Sequence, residues 1–561
     1  MEKGRFSGNV SGSRRLNQPE SIRKGRTCLE AAAVIVVLFI FSAILLLLLF
    51  FSVTGSAAVY GGAERVRYYT DSPLFHLFVF AVITAAGMIL TGKQEDGSRV
   101  CPSLNRIQFK RWMLIISGLY LIWIMGTLFG PASDQRLVME SGKALTEGDM
   151  SPWKQTGFTY SSYSCEGYAY VHPHQNGQIL YAALLTLIAG ENAALLWQFL
   201  NVAFLAAGMC YTGMLSKEVL PLRRGYGLTL FLFAFLPFSF YFTFAYGTVP
   251  GFACAAAALW YQRRFLCDGG RRNLILSAIA ITAAILLKSN YLIVLTAMVI
   301  FYAADAVFQR RTVSLLGAVL AVSFYLLSHS VMLFGLSAAA GHPAEGGPPK
   351  LTWVEMGLQE GSRAPGWFNN YNIYIYLDNH EDPEMTQAAV EQDLVQTVRY
   401  FLEHPDYAAE FFQRKIQSVW AEPTFQSLWI QEVKGPGWLF KPFALSLFRE
   451  GQWANEIYWE LCNALQSLVY AGALLFVAFR GHKVRFEGLI FAVIFIGGFL
   501  FHLIWEAKGQ YTVCYFIMLL PYAWSGFGGW LAWLRDRLGD REESRWMGEK
   551  KTACKGKRVR L

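Results

Sequence analysis

The residues that could do chemistry are ionisable side chains at the ends of long apolar runs. Asp134 follows one such run, Lys288 lies in a tight turn between two others, and Glu506 and Lys508 share a further short turn. Charge near hydrocarbon is costly and is usually retained for a function or a pairing. A carboxylate among cations fits a phosphate-bearing substrate, because the carboxylate can take a proton from an attacking hydroxyl while the cations stabilise a departing phosphate.

Four further side chains accompany this set. Arg136 follows Asp134 closely, Tyr511 ends the Glu506 turn, and His172 and His174 precede a short apolar run. A His-x-His pair chelates zinc only if an acidic group joins it, so we predict no metal. Each residue also has a structural interpretation, since a charged side chain can snorkel or pair at the interface and a histidine can cap a helix.

The composition excludes a soluble or disordered protein. The chain has 561 residues, of which 54% are hydrophobic and 16% charged, with a mean hydropathy of +0.31, whereas a soluble domain carries roughly 25% charged residues. The 17 Trp and 27 Tyr suit two interfacial belts. The net charge of +9 comes from basic residues in short loops beside apolar runs, which indicates topology and no nucleic-acid partner.

The nine cysteines stand singly, without a CxxC pair, so neither a disulfide framework nor a zinc site is indicated. The first apolar run, from about Cys28 to Val53, is too long for the core of a signal peptide and predicts a permanent anchor.

A membrane span needs about 20 residues. Thirteen apolar runs are long enough to approach a membrane span. They lie near 29–53, 73–92, 112–131, 178–190, 193–214, 225–245, 249–264, 273–288, 290–307, 313–336, 464–480, 487–505 and 511–534.

The distribution of basic residues selects twelve of these runs as spans. The basic N-terminal tail should be cytoplasmic, and the loops then alternate. If 178–190 also spanned, five later basic segments would lie outside; if it is a re-entrant or interfacial helix, all five return to the cytoplasm. We therefore predict an all-α, polytopic cell-membrane protein with about twelve spans, both termini inside and two extracytoplasmic segments.

The predicted organisation has seven parts. They are a cytoplasmic basic tail (1–28), spans one to three (29–130), a first extracytoplasmic loop with interfacial helices (131–192), spans four to nine (193–336), an extracytoplasmic loop and helical domain (337–463), spans ten to twelve (464–534) and a cytoplasmic basic tail (535–561). In the second outer segment, helical spacing predicts helices over 385–403 and 407–420, separated by His404-Pro405.

Several short motifs carry a resemblance to a known family. They are an acidic residue just after a span, a Tyr-x-His-Pro motif leading into a short Gln-x-Leu-Tyr helix, and a late Glu-x-Lys-x-x-Tyr turn. Together they resemble the GT-C superfamily of integral membrane glycosyltransferases, especially the branch using polyprenyl-phosphate sugars, which includes protein O-mannosyltransferases and the aminoarabinose transferase acting on lipid A. The stretches 351–361, 364–369 and 420–424 are similar to Gram-positive membrane proteins of this type.

The resemblance implies roles for individual residues. Asp134 matches the base of the first outer loop, Glu506 and Lys508 match the turn facing the lipid phosphate, and His172 matches the loop that shapes the acceptor side. Two positions depart from the family pattern. Gln135 stands where many relatives have a second acidic residue, and the stretch 244–250 lacks an Arg and an Asp that are frequent there, which makes Lys288 the candidate to bind phosphate.

The implied activity is an inverting sugar transfer from a polyprenyl-phosphate donor to a hydroxyl of a cell-envelope glycan, lipid or protein on the extracytoplasmic face. No cofactor is expected, because the chain shows no Gly-rich phosphate loop and no Rossmann-like region. A transporter or flippase of lipid-linked sugar remains the alternative, although we find no pair of matching halves. A non-catalytic assembly or polymer-anchoring protein is a third hypothesis.

Overall fold

Long helices dominate a computed structural model of the chain, which describes residues 28–60, 64–90, 104–155, 164–222, 226–428 and 441–556. The predicted N-terminal tail lies outside these residues up to 27, and most of the predicted inner loop 93–111 also lies outside them. The predicted C-terminal tail, 535–561, is described up to residue 556, where it continues the last helix. The protein is 79% helical with almost no strand.

The helices of the described residues are numbered in chain order. They are α1 (Cys28–Thr54), α2 (Pro73–Leu90), α3 (Arg106–Thr127), α4 (Asp134–Thr146), α5 (Tyr168–Val171), α6 (Asn176–Ala189), α7 (Ala193–Val219), α8 (Tyr226–Phe233), α9 (Leu236–Ser239), α10 (Thr248–Asp268), α11 (Arg271–Leu287), α12 (Leu292–Phe308), α13 (Ser314–Ala340), α14 (Leu351–Gly357), α15 (Tyr371–Asp378), α16 (Pro383–Glu403), α17 (Pro405–Trp420), α18 (Lys441–Phe448), α19 (Trp453–Arg480), α20 (Ile490–Ile504), α21 (Gly509–Phe516) and α22 (Leu520–Gly556).

Eight helical segments of the described chain are long and apolar enough to cross a membrane, which makes this a multi-pass membrane protein. A ninth span results if α8 and the bent segment after it, 236–243, are counted together. The other predicted spans coincide with α10, α11 and the region of α21 and α22. Of these, α11 has 17 residues and α21 has 8, so length and composition alone do not identify them.

Small residues allow the central helices to pack closely. A Cβ atom on Gly526 in α22 would lie 1.9 Å from the carbonyl oxygen of Gly472 in α19, so these two backbones touch. Trp420 and Phe495 add an edge-to-face aromatic contact at 5.4 Å between α17 and α20. The bundle is thus joined to the second outer segment by packed side chains.

Helices α6 and α7 form an antiparallel hairpin. The ring centroids of Tyr181 and Trp197 are 4.7 Å apart, whereas 16 residues of one straight helix would separate them by about 24 Å. The chain reverses at Gly190, whose φ of 55° lies in the left-handed region. Lys143 of α4 pairs with Glu191 in this turn at 2.6 Å, so α4 runs beside α6.

A β-hairpin follows α1 and was not predicted. Strands β1 (Gly55–Tyr60) and β2 (Arg65–Thr70) pair antiparallel from Gly55↔Thr70 to Tyr60↔Arg65. The N–H of Ala57 donates to the carbonyl of Ala421 at 3.0 Å. The hairpin is therefore anchored just beyond the end of α17.

The segment 337–463, which the sequence predicts to be the second outer segment, contains α14 to α18. Helices α16 and α17 agree with the two helices predicted there, and the chain breaks between them at His404 before Pro405. Asp382 caps α16 by accepting a hydrogen bond from the N–H of Met385 at 2.8 Å. The cap and the proline are local signals, which explains why this region could be read from the sequence.

Candidate functional site

Lys288 lies at the end of α11 and is buried, with 5% of its surface exposed. Its ammonium donates to the hydroxyl of Thr248 at 3.1 Å, and it lies 4.7 Å from the ring centroid of Tyr246 and 5.7 Å from that of Tyr511. Within the described residues no carboxylate reaches ion-pair distance of it. The charge of Asp134 acts on it from further away. We call Lys288, Thr248, Tyr246, Tyr511 and Asp134 the Lys288 cluster.

Two glycines fix the backbone around Lys288. A Cβ atom on Gly177 would lie 2.0 Å from the carbonyl oxygen of Leu286, and one on Gly247 would lie 1.9 Å from that of Leu287. Only glycine permits such approach, so the start of α6 and the segment before α10 both contact the end of α11.

Glutamine side chains connect these segments to the aromatic wall of the cluster. Gln175 donates to the hydroxyl of Tyr246 at 2.7 Å and accepts from Gln178 at 2.5 Å. Gln178 in turn accepts from the N–H of Gly247 at 2.7 Å. The Tyr246 ring that faces Lys288 is therefore held from both sides.

Asp134 is the first residue of α4, and its Oδ1 accepts a hydrogen bond from the hydroxyl of Tyr168 at 3.3 Å. A carboxylate interacts favourably with the dipole at a helix N-terminus. Gln135, in the place of the expected second acid, is buried and accepts from the N–H of Ala245 at 2.9 Å. Arg136 pairs with Glu140 along α4 at 3.6 Å.

The two histidines lie beside Asp134. The His172 ring is 5.0 Å from the Tyr168 ring and 5.7 Å from the His174 ring, and the charge of Asp134 acts on His174. Burial lowers the pKa of His172 to about 4, so this ring is neutral at pH 7. Among the described residues, no group of three or more His, Cys, Asp or Glu side chains could hold a metal ion.

Glu506 is buried in the turn after α20, with 4% of its surface exposed. Among the described residues, the Oε1 atom of Glu506 has no hydrogen-bond partner. Burial raises the pKa of Glu506 to about 7, against the opposing effect of Lys508. The charges of Glu506 and Asp134 both act on Tyr511.

Lys508 belongs to a second group of charges. Glu64, 1% exposed, accepts from Lys508 at 2.7 Å and from Arg363 at 2.5 Å, and Gln426 approaches it at 3.4 Å. We call Glu64, Arg363, Lys508 and Gln426 the Glu64 cluster. It joins the hairpin, the second outer segment and the turn after α20.

The second outer segment frames the Glu506 turn through its backbone. The N–H of Glu506 donates to the carbonyl of Trp353 and that of Ala507 to the carbonyl of Gly366, each at 3.0 Å. Lys415 donates to the carbonyls of Gly357 at 2.5 Å and Trp505 at 3.0 Å. Burial lowers the pKa of Lys415 to about 7.

Glu422 positions Gln426. Its carboxylate accepts from the N–H and hydroxyl of Thr424 and from the N–H of Gln426 at 3.1, 2.5 and 2.7 Å. Burial raises the pKa of Glu422 to about 7. This turn aims the Gln426 amide at Glu64.

The structure thus brings Asp134, His172, His174, Lys288, Glu506 and Tyr511 to one region of the bundle. Lys508 lies in the adjacent Glu64 cluster, and Arg136 is directed along α4. Sequence reasoning missed Glu64, Arg363 and Lys415. Glu64 had a weak signal, a charged residue in the short segment between two apolar runs.

No family model and no curated protein matches this chain. Function is therefore argued from the geometry of the site.

Proposed function

We propose that this protein is a membrane glycosyltransferase of the GT-C type. It moves a sugar from a polyprenyl-phosphate donor to a hydroxyl acceptor on the extracytoplasmic face of the cell membrane, with inversion. One observation carries the proposal: a buried ammonium, Lys288, has no carboxylate partner among the described residues and lies within the electrostatic reach of Asp134.

A buried unpaired cation is costly, and its cost is offset when an anion binds. Lys288 uses one hydrogen bond, to Thr248, and an ammonium has three donors. The rings of Tyr246 and Tyr511 line the same space and suit the faces of a sugar. A lipid-linked sugar phosphate would supply the anion, accept hydrogen bonds from the remaining ammonium donors, and place its sugar against the two rings.

The proposed step is a single displacement. The acceptor hydroxyl transfers its proton to the carboxylate of Asp134 as its oxygen bonds to the anomeric carbon. The bond from that carbon to the phosphate oxygen breaks, and the polyprenyl phosphate leaves with both electrons beside Lys288. The hydroxyl of Tyr168 orients the Asp134 carboxylate.

Other predicted site residues take supporting roles. Neutral His172, with His174, shapes the acceptor side, and Glu506 is the second candidate for the base. Lys508 and Arg136 remain candidates to contact the donor phosphate, although each is already ion-paired. The proposed topology keeps twelve spans, with α10, α11 and the α21–α22 region added to the apolar helices and the bent pair.

The test is a transfer assay in proteoliposomes, supplied with a panel of polyprenyl-phosphate sugars and hydroxyl acceptors. Release of polyprenyl phosphate and formation of a new glycosidic bond are measured. Because loss of a positioned base costs about 100- to 10,000-fold, Asp134→Asn should nearly abolish transfer. Asp378→Asn, at an exposed carboxylate of the second outer segment, is the matched control.

The alternative gives a different result in the same vesicles. Three results together would show that the protein is a transporter: the lipid-linked sugar crosses the bilayer, no glycosidic bond forms, and Asp134→Asn is as active as the wild type. The proposed sidedness is tested by labelling intact cells that carry Ser164→Cys or Gln392→Cys, at two exposed positions in the outer segments. Protection of both cysteines would refute the proposed topology.

A further inference from the structure

The Glu64 cluster has the composition of an anion-binding site that already holds an anion. One carboxylate is held by two cations, and Lys508 comes from a position 444 residues further along the chain. Arg363 and Lys508 belong to different elements, and they meet only at the carboxylate of Glu64. A carboxylate and a phosphate accept from Lys and Arg with similar geometry.

The side chains of the two cations are partly exposed to solvent, whereas that of Glu64 is buried. The side chain of Arg363 is 27% exposed and that of Lys508 is 11% exposed, against 1% for Glu64. Arg363 also lies 5.8 Å from the ring of Phe368 and donates to its carbonyl, which holds the guanidinium in place without Glu64. An arriving anion would therefore meet cations that are already oriented.

Glu64 can leave this position without loss of the hairpin. The hairpin is anchored through its strands, by the Ala57 to Ala421 hydrogen bond and by Gln417, which donates to the carbonyl of Gly55 at 3.3 Å. Glu64 itself has a φ of 51°, in the left-handed region that disfavours residues with a side chain. Its placement in the cluster is thus sustained by the two ion pairs.

The neighbouring charges favour a ligand of higher charge than a carboxylate. Glu506 is influenced by Lys508, Glu64, Lys415 and Arg363 together. Because burial raises the pKa of Glu506 and lowers that of Lys415 to about 7, both groups are only partly charged at neutral pH. Arg363 and Lys508 then face the single full negative charge of Glu64. A phosphate that replaced Glu64 would balance this excess better than the single charge of Glu64 does.

We propose that Arg363 and Lys508 form a binding site for a phosphate group, and that the carboxylate of Glu64 occupies this site until the ligand displaces it. The inference rests on the proposed function, because a polyprenyl-phosphate donor or product supplies such a group at the outer face. The charge of Glu64 acts on Tyr511, whose ring centroid lies 5.7 Å from the Lys288 ammonium, so a phosphate held by Arg363 and Lys508 would bind near the transfer site.

The test is direct binding to the purified full-length protein in detergent. The probe is farnesyl phosphate, with inorganic phosphate and farnesol in parallel. Removal of the competing charge in Glu64→Gln should tighten binding of farnesyl phosphate by roughly 10- to 100-fold. Glu360→Gln, which breaks the exposed Arg414–Glu360 pair, is the matched control and should change nothing. Arg363→Met and Lys508→Met should weaken binding in the Glu64→Gln background.

Each outcome decides between alternatives. If Glu64→Gln tightens the binding of inorganic phosphate as much as that of farnesyl phosphate, the site is assigned to free phosphate. In either case the affinity for farnesol, which has no phosphate, must stay the same. Unchanged or weaker phosphate binding by folded Glu64→Gln would show that the cluster is only a structural ion triad. If Glu64→Gln does not fold, Glu64→Asp, which shortens the carboxylate, should give a smaller tightening in the same direction, and its absence overturns the proposal.

The same measurement separates this inference from the proposed function. Binding is read without transfer, and it is repeated in an Asp134→Asn background. If Glu64→Gln binds farnesyl phosphate more tightly but no transfer activity is found, the phosphate site is supported and the proposed glycosyltransferase function is refuted. If transfer occurs but Glu64→Gln does not bind more tightly, the function is supported and the phosphate site is refuted.

Discussion

The Lys288 and Glu64 clusters differ in how the charge of a buried cation is compensated. In the Glu64 cluster, Lys508 and Arg363 are both neutralised by one carboxylate. In the Lys288 cluster, the ammonium has a single hydroxyl partner and two aromatic rings. Lys508 and Lys288 are both at least nine-tenths buried, so solvent does not compensate the charge of Lys288.

This difference separates a satisfied charge from one that awaits a partner. A buried pair holds its elements together, but a buried unpaired charge is maintained at a cost in stability. We infer that the fold bears this cost at Lys288 because an anion binds there. The four predictions below test that contrast.

The largest effect is expected on the use of the lipid-linked donor. A charge-assisted contact to phosphate in a partly desolvated site contributes about 1.5–3 kcal/mol, so Lys288→Met should lower kcat/KM for the donor by roughly 10- to 150-fold. Lys508→Met should have a smaller effect, because it also releases Glu64 as a competitor. Lys143→Met, at an exposed ion pair, is the control. Equal losses for Lys288→Met and Lys508→Met would erase the distinction between the clusters.

The second effect is on stability, and its sign should differ between the clusters. Lys508→Met leaves Glu64 with Arg363 alone, which should cost about 1–3 kcal/mol of the free energy of unfolding. Lys288→Met removes a buried charge without a carboxylate partner and should be neutral or stabilising by about 1 kcal/mol. Thermal unfolding in detergent measures both changes. Destabilisation by Lys288→Met as large as that by Lys508→Met would mean that Lys288 is structurally paired.

Glu506, between the clusters, should make stability depend on pH. Because the pKa of Glu506 is raised from 4.5 to about 7, the folded protein keeps a proton that the unfolded chain releases between these values. Stability attributable to this group therefore falls as pH rises through that window. Glu506→Gln should be more stable than the wild type by about 1–3 kcal/mol at pH 8 and similar at pH 4. Glu384→Gln, at an exposed carboxylate of α16, is the control. A difference in stability between Glu506→Gln and the wild type that does not vary with pH would contradict the raised pKa.

The parts of the site predictable from sequence are those set by local signals. Apolar runs end at Lys288 and before Glu506, so both were expected at helix ends. Helical spacing and the break at His404-Pro405 similarly placed α16 and α17. These features depend on neighbouring residues, which a single sequence contains.

The parts that were missed depend on long-range packing. Glu64 contacts Lys508 and Arg363 only after the hairpin docks beside α17, and the hairpin was not expected within an all-α prediction. In the sequence, Gln135 indicated only that a second acidic residue was absent. The structure shows that its side-chain oxygen accepts a hydrogen bond from the N–H of Ala245. No local pattern specifies such pairings.

The smallest expected effect concerns the orientation of Asp134. The hydroxyl of Tyr168 donates to its Oδ1 at 3.3 Å, which is long for a bond to a carboxylate. Its loss in Tyr168→Phe should therefore lower kcat/KM for transfer by only about 2- to 5-fold, equivalent to roughly 0.5–1 kcal/mol. Tyr181→Phe is the matched control, because the buried Tyr181 hydroxyl has no hydrogen-bond partner in the part of the chain that the structure describes. A loss for Tyr168→Phe as large as that for Asp134→Asn would give the Tyr168 hydroxyl a direct part in proton transfer, since orientation through one long hydrogen bond cannot account for it.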